Sequence, residues 1–277
     1  MHPFPRLPMS IPRDSLPRAL IVQHESFMAI LEGRLLCAPI KTPVGRVLDL
    51  GTGCGIWAAE FAAEHPEAEV IGIDNYPQPK IVAPANCQFI NQDAEQDWEL
   101  GDAKFDVIHT RLVPLHAKEV RAVLRRCYEH LNPGGYIEMH ETWPPCRTDE
   151  PPEAPEHRSK VIEWAKLRFE AVSKIGIDQD MPRQLPEILS ETGFVDVQTQ
   201  DHKWPLGPWM EDVRMKYMGN LSLELLQLIV RSSTEGLLTE IGMEEYQIIE
   251  LIEQVRKELG VGKIYTPVRI VWARKPE

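Results

Sequence analysis

An apolar run that breaks into three closely spaced glycines and opens at once into a helical pattern leaves few folds open to this 277-residue chain. Val47, Leu48 and Leu50 have the character of a short buried strand, Gly51-x-Gly53-x-Gly55 follows, and Ile56-Trp57-Ala58-Ala59-Glu60-Phe61-Ala62 carries helical spacing. Strand, glycine turn and helix start form the first half of a nucleotide-binding βαβ unit. The spacing departs from the Gly-x-Gly-x-x-Gly of dinucleotide sites, because the third glycine comes one place early at Gly55 and Ile56 stands where that fingerprint needs glycine.

The charges around the turn narrow the choice of ligand. Asp49 stands two residues before Gly51. A carboxylate there sits badly beside a pyrophosphate, which wants backbone donors and the positive end of a helix. S-adenosylmethionine carries a sulfonium and an ammonium and no phosphate, so an acid beside the turn helps to hold it. Thr52 and the glycines Gly51, Gly53 and Gly55 let the backbone approach such a ligand closely. The second strand, Glu69 to Asp74, ends in an acid 19 residues after Gly55 (74 − 55), followed by Asn75. An acid at that place accepts ribose hydroxyls. A third strand, Cys87 to Asn91, leads into Asp93-Ala94, where an adenine amino group finds an acceptor. Acids at Asp49, Asp74 and Asp93, in that order, form the candidate cofactor site. The alternative is a Rossmann-like domain for another nucleotide, or one with an empty site.

These stretches resemble class I S-adenosylmethionine-dependent methyltransferases, and more closely the fungal LaeA-like (TAM-domain) methyltransferases. The resemblance is carried by Gly51-Thr-Gly-Cys-Gly-Ile-Trp57, Glu64-His-Pro-Glu-Ala-Glu-Val-Ile-Gly72, Asp93-Ala-Glu-Gln-Asp-Trp98, Phe105-Asp-Val-Ile-His109 and Leu131-Asn-Pro-Gly-Gly-Tyr-Ile-Glu138, with Gln23-His24 and Gly207-Pro-Trp209 outside them. It runs from about Ile11 to the end, specific in the N-terminal half and loose in the C-terminal half. Cys54 replaces the second threonine common in the family's turn. The resemblance implies a Rossmann-like α/β fold: a mostly parallel seven-stranded sheet, an antiparallel last strand and helical lid insertions. It implies S-adenosyl-L-methionine as cofactor, S-adenosyl-L-homocysteine as product, and a place for Gln23 or His24 over the methionine end of the cofactor.

The rest of the chain is consistent with such a fold. Pro3, Pro5, Pro8 and Pro12 make residues 1–13 a proline-rich arm. Residues 14–277 read as a single domain, with 46–145 as its cofactor-binding core and 204–262 as the lid. A helix capped by Asp14 or Ser15 is expected to run to about Leu36. Strands then alternate with crossover segments, which argues for a parallel sheet with helices on both faces. The fourth strand, Phe105 to Thr110, ends where strand order reverses, and ligands of open α/β sheets sit at that point. A helix from Ala117 to Leu131 is expected to stop at Asn132-Pro-Gly-Gly135, before a fifth strand from Tyr136 to Glu141. After a proline and acid linker at Asp149 to Pro155, helices are expected at His157 to Ser173, Gln184 to Thr192, Trp209 to Arg231 and Met243 to Leu259. Strands are expected at Phe194 to Lys203 and Ile264 to Arg274.

The formal net charge of −12 argues against a nucleic-acid partner or tight binding to an anionic membrane. Arg121, Arg125 and Arg126 are interleaved with acids and read as a solvated face. No run approaches the length of a membrane span, and no apolar signal core precedes the first proline cluster. Five cysteines, odd in number and without a Cys-x-x-Cys pair, read as reduced thiols in an intracellular, cytoplasmic protein, and no metal-ligand spacing appears.

Methyl transfer is an in-line displacement with a good neutral leaving group, so placement of the acceptor and exclusion of water matter most. A base is needed only for an acceptor that must lose a proton. The candidates are His116 and His140, near C-terminal strand ends, with Glu141 to orient a histidine or to take the proton. Trp143, Trp204 and Trp209 are either pocket walls or core. The expected partner is a small-molecule acceptor of secondary metabolism; the oligomeric state stays open. A cofactor-binding regulator, and a cyclase that uses the bound sulfonium as a charge, are the competing readings.

Overall fold

The computed structural model describes residues 16–75, 81–113 and 119–277. The arm, the Asp14 and Ser15 cap and His116 lie outside them. Seven strands form one sheet in the order β3-β2-β1-β4-β5-β7-β6: β1 Arg46–Leu50, β2 Glu69–Asp74, β3 Cys87–Asn91, β4 Phe105–Arg111, β5 Leu131–Thr142, β6 Val195–Pro205 and β7 Tyr265–Arg274. The first five strands pair in parallel, and the last strands run antiparallel. Strand order runs outward from β1 through β2 to β3 and, on the other side, through β4 to β5. The reversal therefore falls between β1 and β4.

The chain divides into two compact units. One comprises Arg34–Glu141, Met181–Asp201 and Arg269–Glu277. Here helices α2 (Ile56–Glu64), α3 (Val120–His130) and α5 (Met181–Thr192) accompany the parallel strands. Leu48, Ile71, Ile108, Leu124, Leu131 and Ile137 are fully enclosed in its core. The apolar strands read as continuous runs because both sheet faces are covered.

The other unit comprises Met1–Gly33, Thr142–Asp180 and His202–Val268. Within it lie α1 (Leu16–Ile30), α4 (Lys160–Lys174), α6 (Val213–Ile229), α7 (Glu235–Thr239) and α8 (Glu245–Glu258). Its core is built around Val161, Trp164, Leu237, Leu238, Ile252 and Val255.

Several boundaries differ from expectation, each for a local reason. α1 stops at Ile30 rather than Leu36, because Glu32 and Gly33 take positive φ (58° and 81°) and the Gly33 amide reaches back to the Met28 carbonyl at 2.8 Å. β5 begins at Leu131, before the glycines, because Leu131 pairs with Phe105 ahead of a register shift and Asn132 donates to Asp106 at 2.8 Å. α4 begins at Lys160, where the Ser159 hydroxyl caps it. α6 begins at Val213, capped by the Asp212 carboxylate, and leaves Trp209 in a loop with its indole N–H on the Ile264 carbonyl at 3.0 Å. The short α7 was not expected. Trp204 is buried, edge-on to Phe27 at 5.4 Å and donating to the Ser222 hydroxyl at 2.7 Å. Trp143 lies under the Arg147 guanidinium and donates to Asp180 at 3.1 Å.

Gly219, inside α6, is required by packing. A Cβ there would lie 2.1 Å from the Gly207 carbonyl oxygen, and a Cβ on Gly207 would lie 2.7 Å from the Gly260 Cα. Helix propensity alone favours Gly219→Ala by about 1 kcal/mol. The backbone clash reverses the sign, so urea denaturation of Gly219→Ala is expected to show a lower midpoint than wild type. A higher midpoint would show that the two backbones separate at little cost.

Candidate functional site

Parallel register brings the polar residues of the sheet together. Asp49 in β1 lies opposite Gly72 in β2 and His109 in β4, and His109 lies opposite Glu138 in β5. Paired residues of parallel strands face the same side, as do residues two apart on one strand. Asp49, His109, Glu138 and His140 therefore share a face. All four are buried.

A buried carboxylate needs partners, and Asp49 has them. The Thr52 hydroxyl donates to its Oδ2 at 2.7 Å, and His109 Nδ1 lies 2.7 Å from its Oδ1. Gly72 makes this possible: a Cβ there would lie 2.7 Å from both the Thr52 hydroxyl and the Phe89 ring. His140 continues the network, with Nδ1 3.5 Å from His109 Nε2 and Nε2 2.7 Å from Glu138 Oε1. Glu138 accepts the Cys37 and Ala38 amides at 2.6–2.9 Å. His109 also stacks on Trp57, with ring centroids 3.8 Å apart and planes within 5°. Trp57 in turn donates to the Leu35 carbonyl at 3.0 Å.

The glycine turn rises from this base. Gly51, Gly53 and Gly55 all take positive φ (75°, 58° and 80°), which side-chain-bearing residues adopt at a cost. The Gly51 and Thr52 amides both donate to the Ile73 carbonyl, at 2.8 and 3.0 Å. At Gly51 the close neighbour is protein: a Cβ would meet the Val113 side chain at 2.2 Å. The Gly53 amide donates to Asp74 Oδ2 at 2.8 Å, so the acid that closes β2 is tied to the turn. α2 starts at Gly55 without a side-chain cap. Its first amides are thus the kind of donors a ligand can use.

The remaining sequence-predicted residues fall as follows. Asn75 follows β2 and is exposed. Asp93 is half-buried and accepts the Glu95 amide at 2.8 Å. The Ala94 carbonyl accepts Arg126 Nη1 at 3.1 Å and the Trp98 indole at 3.2 Å, which fixes that loop. Thr110, beside the reversal between β1 and β4, is buried, and its hydroxyl has no hydrogen-bond partner among the described residues. Glu141 is buried near the end of β5. Gln23 is half-buried on α1, in the other unit. Among the described residues no group of three or more His, Cys, Asp or Glu is placed to hold a metal ion, and no helix is long and apolar enough to cross a membrane. All five cysteines are free thiols.

Sequence reasoning missed His109, Glu138 and Trp57 as site residues, and also Arg111 and Arg126. The available signal was a polar residue inside each of three apolar strands. Without the register, nothing showed that those residues face one another. Arg121 of the expected solvated face pairs with Glu191.

A methyltransferase-domain family matches residues 22–199. The chain belongs to the methyltransferase family. It is 32% identical to the methyltransferase pytC of Aspergillus terreus over 258 residues, which cover 91% of this chain and 78% of that one. It is also 32% identical to the secondary metabolism regulator laeA of Monascus pilosus, over 99% of this chain and 76% of that one. Among solved structures, a phosphoethanolamine N-methyltransferase 2 from Haemonchus contortus, in complex with S-adenosyl-L-methionine, superposes with a TM-score of 0.52 at 19% identity. That match covers 92% of this chain and about half (53%) of the other, and it speaks to the fold. The fold of this methyltransferase is the Rossmann-like class I arrangement.

Burial pushes the Asp49 carboxyl up to about 7; the Thr52 hydroxyl and then Arg111 pull it back down, and Asp74 adds to the rise. Burial lowers the Arg111 guanidinium to about 10, against the opposing pull of Asp49. An unfolded Asp titrates near ~3.9, so the folded methyltransferase holds the Asp49 proton more tightly. The stability this contributes is fully present below about pH 4 and is lost as pH rises through about 7. Wild-type unfolding free energy relative to Asp49→Asn, from urea melts at stepped pH, is expected to be most favourable near pH ~4 and to decline toward pH ~8. A difference that stays flat with pH would show that Asp49 is not perturbed by folding.

Proposed function

We propose that this methyltransferase transfers the methyl group of S-adenosyl-L-methionine to a small-molecule acceptor of secondary metabolism and releases S-adenosyl-L-homocysteine. The observation that carries the reading is the Gly53 amide on the Asp74 carboxylate at 2.8 Å. It holds a ribose-binding acid against a positive-φ turn beside the point where strand order reverses.

The residues fit this cofactor. The uncapped start of α2 offers backbone donors, and the buried Thr110 hydroxyl offers a polar contact at the reversal point. Asp74, with Asn75 beside it, takes the ribose, and Asp93 with Ala94 takes the adenine. Asp49 supplies negative charge beneath the turn. When bound, the cofactor supplies an electrophilic methyl on a good leaving group. The protein's work is to align the acceptor and keep water out.

An acceptor that loses a proton needs a base, for which His116, His140 and Glu141 are proposed. His140 can serve only by passing protons along the buried chain, since both ring nitrogens face partners inside it. The segment 204–262 is proposed as the lid that selects the acceptor. A second reading, a cofactor-binding regulator, is favoured by the similarity to the Monascus laeA protein over nearly the whole chain.

Calorimetry with S-adenosyl-L-methionine is expected to show binding to wild type. Asp74→Ala, which loses both the ribose acceptor and the partner of Gly53, is expected to weaken binding at least about tenfold. A folded wild type that does not bind would overturn the cofactor assignment. In an acceptor screen, accumulation of S-adenosyl-L-homocysteine supports the enzyme reading over the regulator. Where the acceptor must be deprotonated, His116→Ala is expected to lower turnover about a hundredfold with little change in KM, and His140→Ala to lower turnover on the same scale. Near wild-type turnover in both would sink the base assignment.

A further inference from the structure

Asp49, His109, His140 and Glu138 form a continuous buried chain with three links, at 2.7, 3.5 and 2.7 Å. Its two ends do different things. Glu138 is anchored by the backbone at Cys37 and Ala38. Asp49 holds the Thr52 hydroxyl, whose residue is the second of the glycine turn.

Proton counting shows that the chain behaves as a unit. Each link needs one proton. If both carboxylates were ionised and both rings neutral, the rings would supply only two, and one link would have lone pairs facing each other across it. Filling the third link needs a third proton, on the imidazole pair or on Asp49. The elevated Asp49 pKa is consistent with that, and Arg111 is near enough to balance the single negative charge that remains. This count holds whichever tautomers the rings adopt.

His109 has a further property. It touches both flanks of the glycine turn: Asp49 at the end of β1 through Nδ1, and Trp57 in the first turn of α2 through its ring face. One imidazole therefore sets the distance between strand end and helix start, across which the turn is strung. We propose that His109 is a positioning residue for the cofactor turn, acting through Asp49 and Trp57 and held in orientation by His140 and Glu138. This rests on the reading that the turn holds S-adenosyl-L-methionine. It adds that the buried chain, and not the glycines alone, keeps the turn in its binding shape. His109 is not a catalytic residue in this scheme.

Two substitutions separate its two contacts. His109→Phe keeps an aromatic face for Trp57 and loses the polar contacts. His109→Asn keeps an N–H where Nδ1 stood and loses the stack. Calorimetry with S-adenosyl-L-methionine is expected to show His109→Phe weakened about tenfold or more, the scale of one hydrogen bond to a buried charge, and His109→Asn weakened about threefold to tenfold, the scale of one aromatic stack. Asp49→Asn combined with His109→Phe is expected to bind no worse than the weaker single variant, because both break one contact.

On wild type, 15N-histidine NMR is expected to show at least two slowly exchanging imidazole N–H signals, altered in His109→Asn. That measurement can overturn the proposal even if His109→Phe does not fold. Ordinary, fast-exchanging signals would overturn the proposal. So would equal affinity of wild type and folded His109→Phe, which would leave the cofactor reading standing. A wild type that binds no cofactor would take both down, an outcome distinct from the last.

Discussion

The buried carboxylate of Asp49 is the interaction on which the site depends. Leaving a charge inside a covered parallel sheet is costly unless it is paired. The chain meets that cost with a hydroxyl from the turn above and an imidazole from the neighbouring strand. Each partner needs a feature elsewhere. Thr52 can reach down because residue 72 is glycine, and His109 is kept in plane by Trp57. The glycine turn, the first turn of α2 and the middle of three strands are therefore tied to one acid.

This arrangement gives the glycine turn a foundation that glycine itself cannot provide. Glycine permits positive φ but loses the most conformational freedom on folding. Three of them in a row of five would leave a turn with many shapes. Here the Ile73 carbonyl, the Asp49 carboxylate and the Asp74 carboxylate each hold one point of it. Rigidity of that kind lets a ligand bind without first ordering its site.

Much of this was legible from residue order. The strand, turn and helix at Val47 to Ala62 announced themselves, because apolar runs, glycine spacing and helical periodicity are local properties. Asp74 could be placed at the end of β2 by counting. The helix end at Ile30 was not legible, because an apolar Leu31 and Leu35 extended the pattern while Glu32 and Gly33 quietly reversed the backbone. The early start of β5 was hidden for a related reason: Asn132-Pro-Gly-Gly is a helix stop by local rules, and only the pairing of Leu131 with Phe105 makes it part of a strand.

By itself, the sequence determined the fold class, the position of the glycine turn and the acids at the strand ends, since each depends on neighbours a few residues away. Tertiary structure alone decided what Asp49 touches. Asp49, His109 and the Glu138–His140 pair lie far apart in the chain, and their meeting depends on the register of three parallel strands and on the missing side chain at Gly72. Register is set by the whole packed sheet, through crossovers of many residues, and no local pattern encodes it.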